Sequence, residues 1–157
     1  MRFFMAILLV GILAAAVAAP AADNSLGTWK LNLGKSRFTP APFPYKTLTM
    51  VREASDGGVK TTVTAERIDR TRMNITYTVK YDGAAVVVQG TGYPSDTISM
   101  MQLDANTFTS ERRKPGGKYH TTGRFVISNG GKTMTNTLTG TDADGKPMAA
   151  TIIYDRQ

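Results

Sequence analysis

Apolar and polar residues alternate along almost the whole chain beyond residue 25. No segment there keeps an apolar period of 3.6 residues,. Alternation with period two marks strands that bury one face and wet the other. The pattern opens on Leu26-Gly-Thr-Trp-Lys-Leu-Asn-Leu33, where Trp29, Leu31 and Leu33 share one parity. These three side chains are expected to face inward, with Trp29 plugging one end of the fold. Next comes Thr39-Pro-Ala-Pro-Phe-Pro-Tyr45, whose alternate prolines forbid helix or central strand,. It reads as an extended connector crossing one end.

Turn residues set the register of the later strands. Asp56-Gly57 closes a two-residue hairpin that pairs Ala54 with Val59, Met50 with Val63 and Leu48 with Ala65. Glu53 then faces Lys60 on the solvent side, an opposite-charge pair,. Asp82-Gly83 sets Ile75, Tyr77, Val79 and Tyr81 against Ala84, Val86 and Val88. Lys114-Pro-Gly-Gly117 is expected to pair Phe108 with Gly123 and Arg112 with Tyr119, leaving Arg113 opposite Lys118 and Glu111 opposite His120. Asn129-Gly130 is the strongest turn signal, and read as a two-residue loop it pairs Phe125 with Met134 and Thr121 with Leu138,. The other face of that hairpin is a ladder of Thr122, Thr133, Thr135, Thr137 and Thr139 with Arg124 among them, suited to water,. Asp142-Ala-Asp-Gly145 forms a three-residue turn that points Ala150, Ile152 and Tyr154 inward,. Around residues 97–103 either Ile98 and Met100 or Met101 and Leu103 can face in, so a bulge or an edge is expected,.

The fold class is therefore all-β: about ten short antiparallel strands in hairpin succession. A sandwich fits the same spacing. A closed up-and-down barrel is preferred, because sequential hairpins make a meander and closure removes the edges.

Gly27-Thr-Trp-Lys-Leu-Asn with Lys35-Ser36, then Tyr81-Asp-Gly83, then Asp96-Thr with Asp104-Ala-Asn-Thr107 come in order. They are followed by Lys132-Thr-Met-Thr135, Gly140-Thr-Asp-Ala-Asp-Gly145 and a closing Tyr154. Together they resemble small exported bacterial proteins with a lipocalin-like domain. The resemblance implies a calycin-type β-barrel and carries no agreed activity. The related intracellular lipid-binding barrels hold a fatty-acid carboxylate with inward arginines, one of them in a terminal Arg-x-Tyr. Here that motif would fall on Ile152-Ile153-Tyr154, where the tyrosine is present and the arginine is not.

The alternating region is preceded by a different kind of segment. Arg2 followed by an uncharged apolar run, with Ala-Val-Ala-Ala at residues 16–19, reads as a secretory signal peptide over residues 1–22,. The run is short for a membrane span. Residues 23–157 then form one domain, exported to the periplasm or the extracellular space and free of an integral membrane segment. The chain contains no cysteine, so disulfides, thiol chemistry and lipoprotein attachment are excluded,. Loss of residues 1–22 leaves 18 Lys and Arg against 12 Asp and Glu, a net charge of +6. The cations are dispersed and read as solubility rather than a nucleic-acid surface.

Groups for catalysis or metal binding are scarce. His120 is the one histidine, and its parity points outward beside Glu111. No His/Cys/Asp/Glu group has metal spacing, and no phosphate loop or nucleophile elbow is present,. Gly90-Thr-Gly92 follows no strand–helix pattern and reads as a bend before Pro94. An enzyme would have to run on tyrosine and carboxylate chemistry, and no strand carries an inward Asp or Glu in its middle. No cofactor is implied. The readings are a binding barrel for a small apolar or amphipathic ligand, an envelope interaction or inhibitor module with a filled core, and, least supported, an enzyme. A monomer is expected.

The candidate ligand-binding residues come from parity: Met50, Arg52, Val63, Tyr77, Arg112, Tyr119, Phe125, Met134 and Tyr154. Arg52 and Arg112 share inward faces with apolar neighbours, each near a hairpin turn. They are either rim residues with their heads in water or a cationic gate for a polar ligand head. Whether the interior is packed solid or holds a small ligand is open at this point.

Overall fold

The computed structural model describes residues 22–157; the expected signal peptide, Ala22 aside, lies outside the described residues. Twelve strands form one antiparallel sheet that curls into a nearly closed barrel. In chain order they begin with β1 (Gly27–Leu31), β2 (Arg37–Thr39), β3 (Tyr45–Ser55), β4 (Gly58–Arg67) and β5 (Arg72–Val79). They continue with β6 (Val86–Val87), β7 (Gln89–Thr91), β8 (Thr97–Asp104) and β9 (Thr107–Arg113), and end with β10 (His120–Ser128), β11 (Thr133–Thr141) and β12 (Pro147–Arg156). The hairpins follow one another round the ring, β1 joins β3 to β12, and the two ends of the sheet are β6 and β7, consecutive in the chain.

Two positions round the ring are each shared by two short strands. The short 3-10 turn Leu33–Lys35 interrupts the first, so that β1 pairs with β12 at residues 154–156 and β2 pairs with it at residues 149–151. The second is β6 and β7, separated only by Val88; β6 pairs with β8 and β7 with β5. Counted round the barrel, the twelve strands occupy about ten places, as the hairpin spacing predicts.

The Asp56-Gly57 register is the predicted one throughout, including Glu53 opposite Lys60. The Asp82-Gly83 register is kept where β5 meets β7, with Thr76 opposite Gln89. Nearer the turn the two arms part, and Val86 and Val87 cross to β8. The β5–β7 pairing brings backbones together at Gly90, where a Cβ would strike the carbonyl oxygen of Asn74 and φ is +118°. The close approach is why Gly90-Thr-Gly92 carries glycine.

Two hairpins are longer than their turn residues suggest. Phe125 faces Asn136 and Thr121 faces Gly140, while Met134 faces Ile127. Asn129, Gly130 and Gly131 all have positive φ, and the loop takes in Lys132 as well. At residues 114–118 the Lys114 amide bonds to the Tyr119 carbonyl, and the register becomes Phe108 with Phe125 and Arg112 with Thr121. Arg113 therefore lies opposite His120, not Lys118. Both corrections are shifts of two residues, which leave every side chain on its predicted face. Ile98 and Met100 are the buried pair in β8, Met101 and Leu103 are about half exposed, and the register breaks between Gln102 and Asp104.

Trp29 is completely buried opposite Met50, and its indole N–H donates to the Ser25 carbonyl at 2.7 Å. The Arg156 guanidinium stacks on the ring, 4.2 Å from its centroid, and donates to the backbone carbonyls of Asn24, Leu26 and Gly131. Leu33, expected to face inward with Trp29, instead lies in the 3-10 turn and is exposed. The alternation that put it inside ends with β1.

Arg52 belongs to this end. It is 2% exposed, its Nε donates to Ser25 Oγ at 3.0 Å and its Nη2 to the Tyr81 hydroxyl at 2.5 Å. Tyr81 passes the bond on to Asp23 Oδ2 at 2.6 Å, and Asp23 Oδ1 accepts from the Ser25 hydroxyl and amide. Burial, followed by the opposing pull of Arg52, leaves the Tyr81 hydroxyl pKa raised to about 12, so it remains a donor at neutral pH,. Arg52→Met should cost about 2 kcal/mol or more, since it strips charge and donors from a buried network. Arg52→Lys should recover only part, one ammonium replacing a fork. Urea unfolding of the two variants checks this, and a wild-type midpoint in Arg52→Met would show the network idle.

Candidate functional site

At the end away from Trp29 the barrel interior opens into a cavity of about 280 Å3. Its mouth is framed by Phe43 and Pro44 of the proline-rich connector, by Tyr93 and Pro94, and by the turn at Asp142–Asp144. The walls are side chains that period-two alternation turns inward from β3, β4, β5, β9, β10, β11 and β12.

Of the residues expected to bind a ligand, Met50, Val63, Tyr77, Arg112, Tyr119, Phe125 and Tyr154 line this cavity. Two do not. Arg52 is turned into the network at the opposite end. Met134 is completely buried in the core, opposite Tyr154 and Ile127, and does not reach the cavity. Parity placed both correctly inside the barrel; it carries no information about height along the axis.

Arg112 is the unusual group. It is 6% exposed, so neither side chain expected at the rim lies there. Its Nη1 is buried without a hydrogen-bond partner among the described residues, and its guanidinium lies over the Phe125 ring, 5.6 Å from the centroid. Three other buried polar atoms near it also lack partners: Ser110 Oγ, Thr121 Oγ1 and Asn136 Oδ1. They converge because β10 carries glycine here. A Cβ on Gly123 would stand 3.0 Å from Ser110 Oγ, 3.2 Å from Asn136 Oδ1 and 3.3 Å from Arg112 Nη1. Burial works against the charge of Arg112, but the surrounding oxygens of Tyr93, Tyr119, Tyr77 and Tyr154 outweigh it and its pKa is raised. The guanidinium stays charged at any ordinary pH.

Five of the chain's six tyrosines line the cavity: Tyr45, Tyr77, Tyr93, Tyr119 and Tyr154. Burial pushes the hydroxyls of Tyr45, Tyr93 and Tyr154 up, so these remain neutral phenols that can donate,. The Tyr45 hydroxyl reaches only Met73 Sδ, at 3.9 Å, and Arg67 lies over its ring at the mouth, 5.4 Å from the centroid.

Sequence reasoning missed several of these. Asn136 lies between the inward residues Met134 and Leu138, so parity alone could have found it. Tyr45 opens β3 beside a proline, where the register breaks before Thr47 and its parity is lost, and Tyr93 sits beside a proline in irregular chain, where alternation gives no direction.

On the outer surface His120 Nε2 lies 2.7 Å from Glu111 Oε1, and Arg113 bonds the same oxygen. These bonds, from His120 and then Arg113, hold the Glu111 carboxyl below its usual range. The group is an exposed ion cluster on the far side of the wall from the cavity. No His/Cys/Asp/Glu cluster among the described residues could hold a metal, and no helix among them is long and apolar enough to cross a membrane.

Fold and cavity define an antiparallel β-barrel with an internal, tyrosine-lined chamber and one unpaired guanidinium in its wall. No family model matches the chain, and no curated protein matches it.

Proposed function

We propose that this chain is an exported, lipocalin-like binding barrel that carries a small amphipathic molecule in its interior, with the polar head of the ligand on Arg112. The observation that carries this reading is the cavity with a charged, unpartnered guanidinium in its wall. Burying an isolated charge costs several kcal/mol, and an ionic partner brought by a ligand offsets that cost. A chamber of this size with mostly apolar walls and a few convergent polar groups is the form small-molecule sites take. A cavity also argues against a barrel whose core is solid.

Native mass spectrometry of the protein purified from its own host's envelope tests the reading. A retained small mass should be seen on wild type and be lost from Arg112→Met. Only the bare chain mass, in every gentle preparation, would count against it.

A further inference from the structure

The cavity also restricts what the ligand is, an inference that rests on the binding reading above. We infer that the barrel takes a compact aromatic monocarboxylate, and not a long-chain fatty acid.

Three observations converge on that class. The first is charge. Arg112 is the one buried charge of the lining, while Arg67, Asp142 and Asp144 stand at the mouth where water reaches them, so a single negative charge balances the interior. A carboxylate carries one charge and matches the guanidinium fork with two oxygens. A phosphate monoester would bring a second charge into a site without a second buried cation.

The second is size. The cavity of about 280 Å3 takes a small organic acid whole,. A benzene ring with a short acid arm fits within it.

The third is the wall. Tyrosine supplies rings that take an aromatic partner edge-on or offset, and a rigid ligand loses little freedom on entering. Tyr77, Tyr93, Tyr119 and Tyr154 line the cavity, and none of their hydroxyls is among the buried atoms left without a partner, so the cavity side can reach them. Oxygen substituents on a ligand ring can bond there, as a plain alkyl chain cannot.

Calorimetry with delipidated protein tests the inference against five probes: 3-phenylpropionate, 3-(4-hydroxyphenyl)propionate, 3-phenylpropionamide, decanoate and palmitate. The two aromatic acids should bind most tightly, the hydroxylated one at least as well as the plain one. The amide should bind at least tenfold more weakly than its acid, and Arg112→Met should abolish that difference. Tighter binding of decanoate or palmitate would overturn the aromatic class and leave the binding reading standing. Equal binding of acid and amide would overturn the carboxylate. Failure of all five probes at millimolar concentration would overturn this inference, and mass-spectrometric retention would then decide separately whether the barrel binds anything else.

Discussion

Trp29→Ala is expected to lose about 3–5 kcal/mol, the range for large aromatic truncations in packed cores. The ring is completely buried, donates to the Ser25 carbonyl and is covered by the Arg156 guanidinium. Alanine would leave a cavity, an unpaired carbonyl and an arginine stacked on nothing. Domains of this size have about 5–15 kcal/mol in total, so the variant should be barely folded at room temperature. Trp29→Phe should fold with an intermediate loss, since it keeps a ring but not the indole N–H. Denaturant unfolding followed by circular dichroism measures both. Wild-type fluorescence gives an independent check, because a buried indole emits in the blue and resists iodide. A freely quenched Trp29, with an unchanged melt in Trp29→Ala, would remove this residue from the closed end of the barrel.

Arg112→Met should move stability in the opposite direction. The guanidinium is buried with an unpaired Nη1 and no carboxylate beside it. Replacing buried charged groups by apolar ones of similar volume is often stabilising by about 1–4 kcal/mol. For a domain of this length that raises the melting temperature by roughly 3 °C per kcal/mol. The gain applies to ligand-free protein, and the same variant should lose retained ligand, the stability-for-function exchange seen where a site holds a destabilised group. Thermal melts of delipidated wild type and Arg112→Met decide it. A loss of more than about 1 kcal/mol would mean that the protein itself satisfies the guanidinium. Arg52→Met is the internal comparison: an arginine equally buried and equally inward, yet predicted to be destabilised, because its fork is filled by Ser25 and Tyr81.

The contrast between these two arginines marks the limit of what alternation can convey. From the sequence both were inward and both near a turn. Arg52 proved to be partnered by Ser25 and, through Tyr81, linked to Asp23, groups far from it in the chain. Arg112 met tyrosines and an orphaned Asn136.

Period-two alternation, set by the pleat of an extended backbone, determined which side chains enter the barrel, and it did so robustly. The hairpins at residues 114–118 and 129–132 are each longer than their turn residues suggested, so Phe125 meets Asn136 where Met134 was expected. A shift of two residues changes the partner without changing the face, and the inward set survived. Height along the axis has no such periodic signature. It depends on how far each strand slides against its neighbours and on where backbones can approach, as at Gly90. That slide separated Arg52 and Met134 from the cavity, while Tyr45, at the register break that opens β3, and Tyr93, in irregular chain, entered it. The chamber is the volume left between side chains contributed by strands distant in sequence, so its size and its unpaired charge were decided only by tertiary packing.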